Sequence, residues 1–247
     1  KMARFFVPRK ELQDKKGSVS GTELDHMRRV LRLRPGDRVT LFDDEGWEHE
    51  GVIRSYTDRL GEVEILTSFQ SERESSLDIT LAQALGKGEK MDLVVEKATE
   101  LGVRAIAPFL SSRTVPRLDR AKMERRQARW GKIALSATKQ SGRTRIPEIL
   151  GVSDFPALVS RSWECDLKLL FWEEESRLSL TQLRAETPQL GSLLLVIGPE
   201  GGFSSEEASE AMRNGFKAVR LGRRILRTET AALAALSIVQ FLWGDMG

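Results

Sequence analysis

Leu193-Leu194-Leu195-Val196-Ile197 runs directly into Gly198-Pro199-Glu200-Gly201-Gly202-Phe203-Ser204. Five apolar residues without alternation read as a strand buried on both faces, as in a parallel sheet covered by helices. Ser204 followed by Glu207 has the spacing of a capping box, so a helix is expected after the turn, ending near Gly215. A glycine-rich turn between a buried strand and a capped helix lies where α/β sheets bind ligands, at the carboxyl edge. The turn is neither GxGxxG nor GxxxxGK[ST], and Pro199 lacks an amide that a phosphate loop would use. A cofactor loop and a tight structural turn both remain open on this pattern.

The same arrangement recurs downstream. A short apolar run, Ala218 to Leu221, leads through Gly222-Arg223-Arg224-Ile225-Leu226-Arg227 into a helix expected over Thr228 to Trp243. Thr228 suits the helix cap and Glu229 the first turn. Arg227 does not, because a cation ahead of a helix N-terminus is unfavourable unless an anion is near, which points to function. The helix is rich in alanine and leucine on nearly every side, which favours a subunit interface. Upstream, strands Ile79 to Leu85, Val103 to Phe109 and Leu167 to Trp172 are expected. The first two flank a helix, Lys90 to Leu101, with Met91, Val94, Val95 and Ala98 on one face and Gly102 as a left-handed cap. Strands alternating with helices define an α/β domain with a largely parallel sheet.

The first seventy residues differ. They read as strands Arg4 to Val7, Arg38 to Phe42, Glu48 to Tyr56 and Gly61 to Leu66, with a hairpin turn at Asp43-Asp44-Glu45-Gly46 and a helix from Thr22 to Leu31. The division expected is a small β-barrel over 1–70, a polar linker over 71–76, and the α/β domain over 77–247.

Composition narrows the chemistry. With 247 residues, 40% hydrophobic and 30% charged, the chain builds a real core. No apolar run reaches a membrane span, and Lys1 to Lys10 lacks a signal-like stretch, so a cytoplasmic protein without a membrane partner is expected. A single cysteine, Cys165, with only His26 and His49 beside it, excludes an internal disulfide and a zinc-type cluster, so no metal is expected. Cys165, Trp47, His49, Trp163 and Trp172 suit core or rim positions. Net charge is only +3, yet Arg113 to Arg145 holds eleven basic residues against Asp119 and Glu124. Lys122, Arg125, Arg129, Lys132, Lys139 and Arg143 share one helical face, with Ser136 in the gap, opposite Met123, Trp130, Ile133 and Ala137. A solvated face usually mixes signs, and this stripe suits a polyanion. It ends in Gln140-Ser141-Gly142-Arg143-Thr144-Arg145, whose Gln140, Arg143 and Arg145 suit bases and phosphates. The RNA-binding set expected is Arg125, Arg129, Lys132, Lys139, Gln140, Arg143 and Arg145.

Four stretches carry a family resemblance: Glu96-Lys97-Ala98-Thr99-Glu100-Leu101-Gly102-Val103, Gln140-Ser141-Gly142-Arg143 with Ile146-Pro147-Glu148, Gly198 to Ser204, and Leu226-Arg227-Thr228-Glu229-Thr230-Ala231. In this order they resemble, along essentially the whole chain, the bacterial 16S rRNA uridine-N3 methyltransferase family known as RsmE. The resemblance implies a PUA-like β-barrel, then a SPOUT-type α/β domain with a C-terminal trefoil knot, working as a homodimer on the small ribosomal subunit. It implies S-adenosylmethionine held around Phe171, Trp172 and Glu173, around Ile197, Gly198, Pro199, Glu200, Gly201 and Gly202, and around Leu221, Gly222, Ile225, Leu226, Thr228, Thr230 and Ala231. Members of the family often carry acidic residues in the helix before the QSGR turn. Ser136 and Lys139 stand there instead, so no carboxylate base is expected from that helix.

Methyl transfer from a sulfonium is a direct displacement that needs alignment and a reactive nucleophile. Without an activated thiol, nitrogen or oxygen is a better target than C5 of a pyrimidine. Arg227 is the expected donor to a developing uridinate, and Glu200 the residue that positions substrate or cofactor. The competing readings are a knotted methyltransferase acting on a ribose 2′-hydroxyl or on tRNA, and a non-catalytic RNA-binding or ribosome-assembly protein.

Overall fold

The computed structural model describes residues 2–86, 90–113, 120–174 and 178–247; Lys1 and Asp119, named above, lie outside them. The chain forms two compact units, Lys1–Glu74 with Thr138–Ile146, and Ser75–Ala137 with Pro147–Gly247.

The first unit contains β1 (Ala3–Phe6), β2 (Leu12–Gln13), β3 (Lys16–Ser20), α1 (Gly21–Asp25), β4 (Arg38–Phe42), β5 (Trp47–Tyr56) and β6 (Leu60–Gln70). They make one sheet in the order β1-β4-β5-β6-β3-β2, antiparallel except for the β1–β4 pair. Alternation sends Phe5, Val39, Leu41, Ile53 and Val63 into a core closed by Leu24 and Met27. The helix expected over 22–31 is interrupted. After α1 the chain widens into a turn in which Leu31 N–H donates to the carbonyl of His26 at 2.9 Å, a bond spanning five residues.

Residues 138–146 group with this unit although they follow the linker in sequence. Arg4 is 9% exposed and donates to Glu48 at 2.7 Å and to the carbonyls of Gly142 and Arg143 at 3.0 and 2.8 Å. A buried guanidinium costs several kcal/mol unless satisfied in this way, so the turn is held by necessity.

The second unit contains β7 (Asp78–Ala84), α2 (Lys90–Glu100), β8 (Ala105–Leu110), α3 (Arg120–Ser141, its last turn in the first unit), β9 (Glu148–Ile149), β10 (Ser153–Asp154), α4 (Phe155–Ser160), β11 (Leu167–Phe171), α5 (Leu180–Glu186), β12 (Ser192–Ile197), α6 (Ser205–Arg213), β13 (Lys217–Val219) and α7 (Thr228–Trp243). Every pairing is parallel, in the order β10-β8-β7-β12-β11-β13, with β9 also on β8. Leu193 to Ile197 are 2% exposed or less, as their unbroken apolar run requires. Gly102 has φ 86°, the left-handed cap after α2. On α3, Trp130, Ala134 and Ala137 are buried, while Lys122, Arg125 and Arg129 face solvent. The apolar α7 buries only one side within this chain, through Ala232, Ala235, Leu236 and Val239, and leaves Phe241 64% exposed.

Candidate functional site

Strands β7, β11, β12 and β13 run in one direction, so the loops after them emerge at one sheet edge. Three of these loops enclose a cleft of about 130 Å3. Phe171, Trp172 and Glu173 come from the end of β11, Pro199, Glu200 and Gly202 from the turn after β12, and Arg220 to Leu226, with Ala231 of α7, from the loop after β13.

The turn after β12 is pinned at both ends. Gly202 N–H donates to the carbonyl of Pro199 at 3.0 Å, and Gly202 has φ 67°, a backbone that side chains disfavour. The following Phe203 is 1% exposed and packs on Phe155 and Phe109 at 5.4 and 6.4 Å between ring centroids. Ser204 and Glu207 then form the reciprocal capping box that starts α6. At the other end, the Thr228 hydroxyl donates to the Gly198 carbonyl at 2.6 Å and accepts from Gln83 Nε2 at 2.8 Å. Thr228 therefore ties two loops and β7 together; it does not cap α7, whose cap position is Arg227, without a side-chain cap bond.

At the cleft, Glu200 accepts from Lys90 Nζ at 2.9 Å, and Glu229 lies 3.6 Å from the same ammonium. The hydrogen bond to Glu200 raises the Lys90 pKa, so this lysine stays charged. Arg113 donates to the Gly201 carbonyl at 2.5 Å.

Of the residues assigned to the cofactor, the cleft brings together Phe171, Trp172, Glu173, Pro199, Glu200, Gly202, Leu221, Gly222, Ile225, Leu226 and Ala231. Ile197, Gly198, Gly201, Thr228 and Thr230 are not among its lining residues. Arg227 is exposed at the end of the third loop, outside the lining. Arg220, Arg223 and Arg224 line the cleft and were not singled out as ligands from sequence. Their signal was there: Arg220 to Arg227 contains four arginines and no acid.

The RNA-binding set divides. Arg125, Arg129, Lys132 and Gln140 are exposed, and Arg129 also pairs with Asp92. Lys139 is only 15% exposed in its side chain, ion-paired to Glu23 at 2.9 Å and set 5.3 Å from the Phe5 ring. Arg143 is 4% exposed and donates to Glu74 through Nε and Nη2 at 3.1 and 2.7 Å. Arg145 is half-buried, its amide also bonded to Glu74.

Residues 73–240 match the RNA methyltransferase domain family, and residues 19–66 the RNA methyltransferase PUA domain family. The chain is 32% identical to ribosomal RNA small subunit methyltransferase E of Bacillus subtilis, over 97% of this chain and 96% of that protein. The crystal structure of a ribosomal RNA small subunit methyltransferase E from Neisseria gonorrhoeae, bound to S-adenosyl methionine, is 36% identical with a TM-score of 0.88 over all of both chains. A protein of Legionella pneumophila, solved in complex with the bound cofactor SAM, is 35% identical with a TM-score of 0.89 over 99% of each chain.

Proposed function

The chain belongs to the ribosomal RNA small subunit methyltransferase E family, and from that premise we propose that it transfers a methyl group from S-adenosylmethionine to N3 of a uridine in 16S rRNA. The observation that carries this reading is the cleft where three strand-end loops meet.

The cleft fits the cofactor chemically. Among the described residues, no backbone amide from Arg220 to Arg227 donates to the protein, which leaves a run of donors for an adenine, a ribose or a carboxylate. The Trp172 indole N–H is buried without a partner in the same wall, an orphan that a ligand-bearing site explains. Once bound, the sulfonium supplies an electrophilic methyl group.

The chain's own residues supply alignment and charge. Uracil N3 loses its proton near pH 10, like a phenol, so its anion costs about 4 kcal/mol at neutral pH. One preorganised donor at a developing oxyanion contributes about 3 to 4 kcal/mol. Arg227, at the end of the third loop and directly before α7, serves as that donor, and Glu200, bonded to Lys90, positions the substrate or the cofactor. The target base leaves its stack to reach the cleft. Arg125, Arg129, Lys132, Gln140 and Arg145 grip the RNA, with Lys139 and Arg143 shaping the first unit from within. The exposed Phe241 and Ile238 of α7 support a homodimer, and the C-terminal knot and a cytoplasmic setting belong to the same reading.

Purified protein, labelled S-adenosylmethionine and small ribosomal subunits test it. Label is expected in 3-methyluridine after nucleoside digestion. Label in 2′-O-methylated nucleosides overturns the N3 assignment, and no cofactor binding by calorimetry overturns the enzyme.

A further inference from the structure

We propose that Arg220, Arg223 and Arg224 form a phosphate-binding rim that seats the RNA strand across the mouth of the cleft, an inference that rests on RNA being the substrate. All three are exposed and all three line the cleft. Among the described residues, none of them takes part in an ion pair or a hydrogen bond, and neither Glu173 nor Glu200 of the same cleft pairs with them. Lys217, at the opposite end of β13, shows the contrast: it has Glu186 at 3.8 Å.

The uncompensated charge is concentrated. With Arg227, four guanidiniums stand within 220–227, directly before the positive end of the sixteen-residue α7. Like charges this close repel one another, and the helix dipole adds to the repulsion, so the arrangement favours a multiply charged anion. A single carboxylate, such as that of an amino-acid moiety, neutralises one guanidinium and leaves the others unmet. Successive phosphates of a strand neutralise several, and guanidinium forks match phosphate oxygens bidentately. The rim occupies the same loop as the proposed catalytic Arg227, so a strand seated there delivers its flipped base beside the reacting atoms.

The test is the salt dependence of binding of a labelled single-stranded 16S rRNA fragment, read by anisotropy, for wild type and for the R220A/R223A/R224A variant. Each single-strand phosphate contact contributes about 0.7 to the slope of log affinity against log salt, so the triple variant is expected to flatten it by about two. S-adenosylmethionine affinity, by calorimetry, is expected to change less than about threefold, a small fraction of the RNA effect. R220K/R223K/R224K keeps the charge and is expected to keep most of the slope, which separates charge from folding. An unchanged slope in the alanine variant overturns the rim. So does a loss of cofactor affinity as large as the loss of RNA affinity, which would assign these arginines to the cofactor. Because anisotropy requires no turnover, a flattened slope beside a wild type that transfers no methyl group sinks the proposed reaction and leaves the rim standing.

Discussion

Thr228 donates its hydroxyl proton to the carbonyl oxygen of Gly198 at 2.6 Å, tying the first residue of α7 to the first residue of the glycine turn. Thr228 is 5% exposed and Gln83 1%, so removing the hydroxyl takes the donor from the Gly198 carbonyl and leaves the buried Gln83 amide only its bond to the Ala84 carbonyl. Thr228→Val is expected to cost about 1 to 3 kcal/mol in urea unfolding and to weaken S-adenosylmethionine binding, because the two loops lose their common anchor. Thr228→Ser retains the hydroxyl and should recover both. A valine variant with unaltered cofactor affinity would mean the tie is incidental to the site.

Arg227→Ala separates binding from chemistry. If the guanidinium stabilises the uridinate, kcat falls about 10²- to 10³-fold while the cofactor dissociation constant stays within about threefold. Near-normal turnover under saturating substrate would remove Arg227 from the reaction.

Glu74 bears on the stability of the first unit. Its carboxylate accepts from Nε and Nη2 of buried Arg143 and from the amides of Thr144 and Arg145 at 2.8 and 3.0 Å. Glu74→Ala takes the carboxylate away from a buried guanidinium and two backbone amides and is expected to cost about 3 to 5 kcal/mol, measured by denaturant unfolding. A loss below about 1 kcal/mol would show that water reaches Arg143 after all.

His49 gives the first unit a pH dependence. Burial pushes its pKa below the ordinary 6.5, against the pull of Asp43 and with a further push from Arg9. The native ring stays neutral where the unfolded chain already binds a proton, so stability rises with pH between the folded value and 6.5. This contribution is present above 6.5 and is lost as pH falls through the folded value. Urea midpoints at about pH 7.5 and about pH 5 should therefore differ more for wild type than for His49→Gln. Equal differences would show that other groups set the acid limit.

Where local pattern and packing agree, the sequence was a sufficient guide. The run Leu193 to Ile197, the Ser204–Glu207 box and the Gly102 cap all lie in the structure as their spacing requires. Lys16–Ser20 escaped because only Gly17 and Val19 turn inward, too little apolar alternation to mark a strand. Local spacing makes Thr228 a cap, because its bonds to Gly198 and Gln83 span 30 and 145 residues, distances that no window covers. Arg143 looked like a surface cation for the same reason, since Glu74 lies 69 residues away. The cleft was legible as two similar strand-to-helix joints; its arginine rim was not, because unpaired charge becomes visible only when every neighbour is in place.

The first unit is sewn from two separated stretches of one chain, with 138–146 closing over Arg4 and Glu74. During synthesis at about 5–20 residues per second, the ribosome needs roughly 4 to 14 s to travel from residue 74 to residue 146. For that interval Arg4 has Glu48 but not the carbonyls of Gly142 and Arg143, and Glu74 lacks the donors of residues 143–145. Maturation of this portion thus trails translation of more than half the polypeptide, and a fragment truncated at the linker should fold poorly.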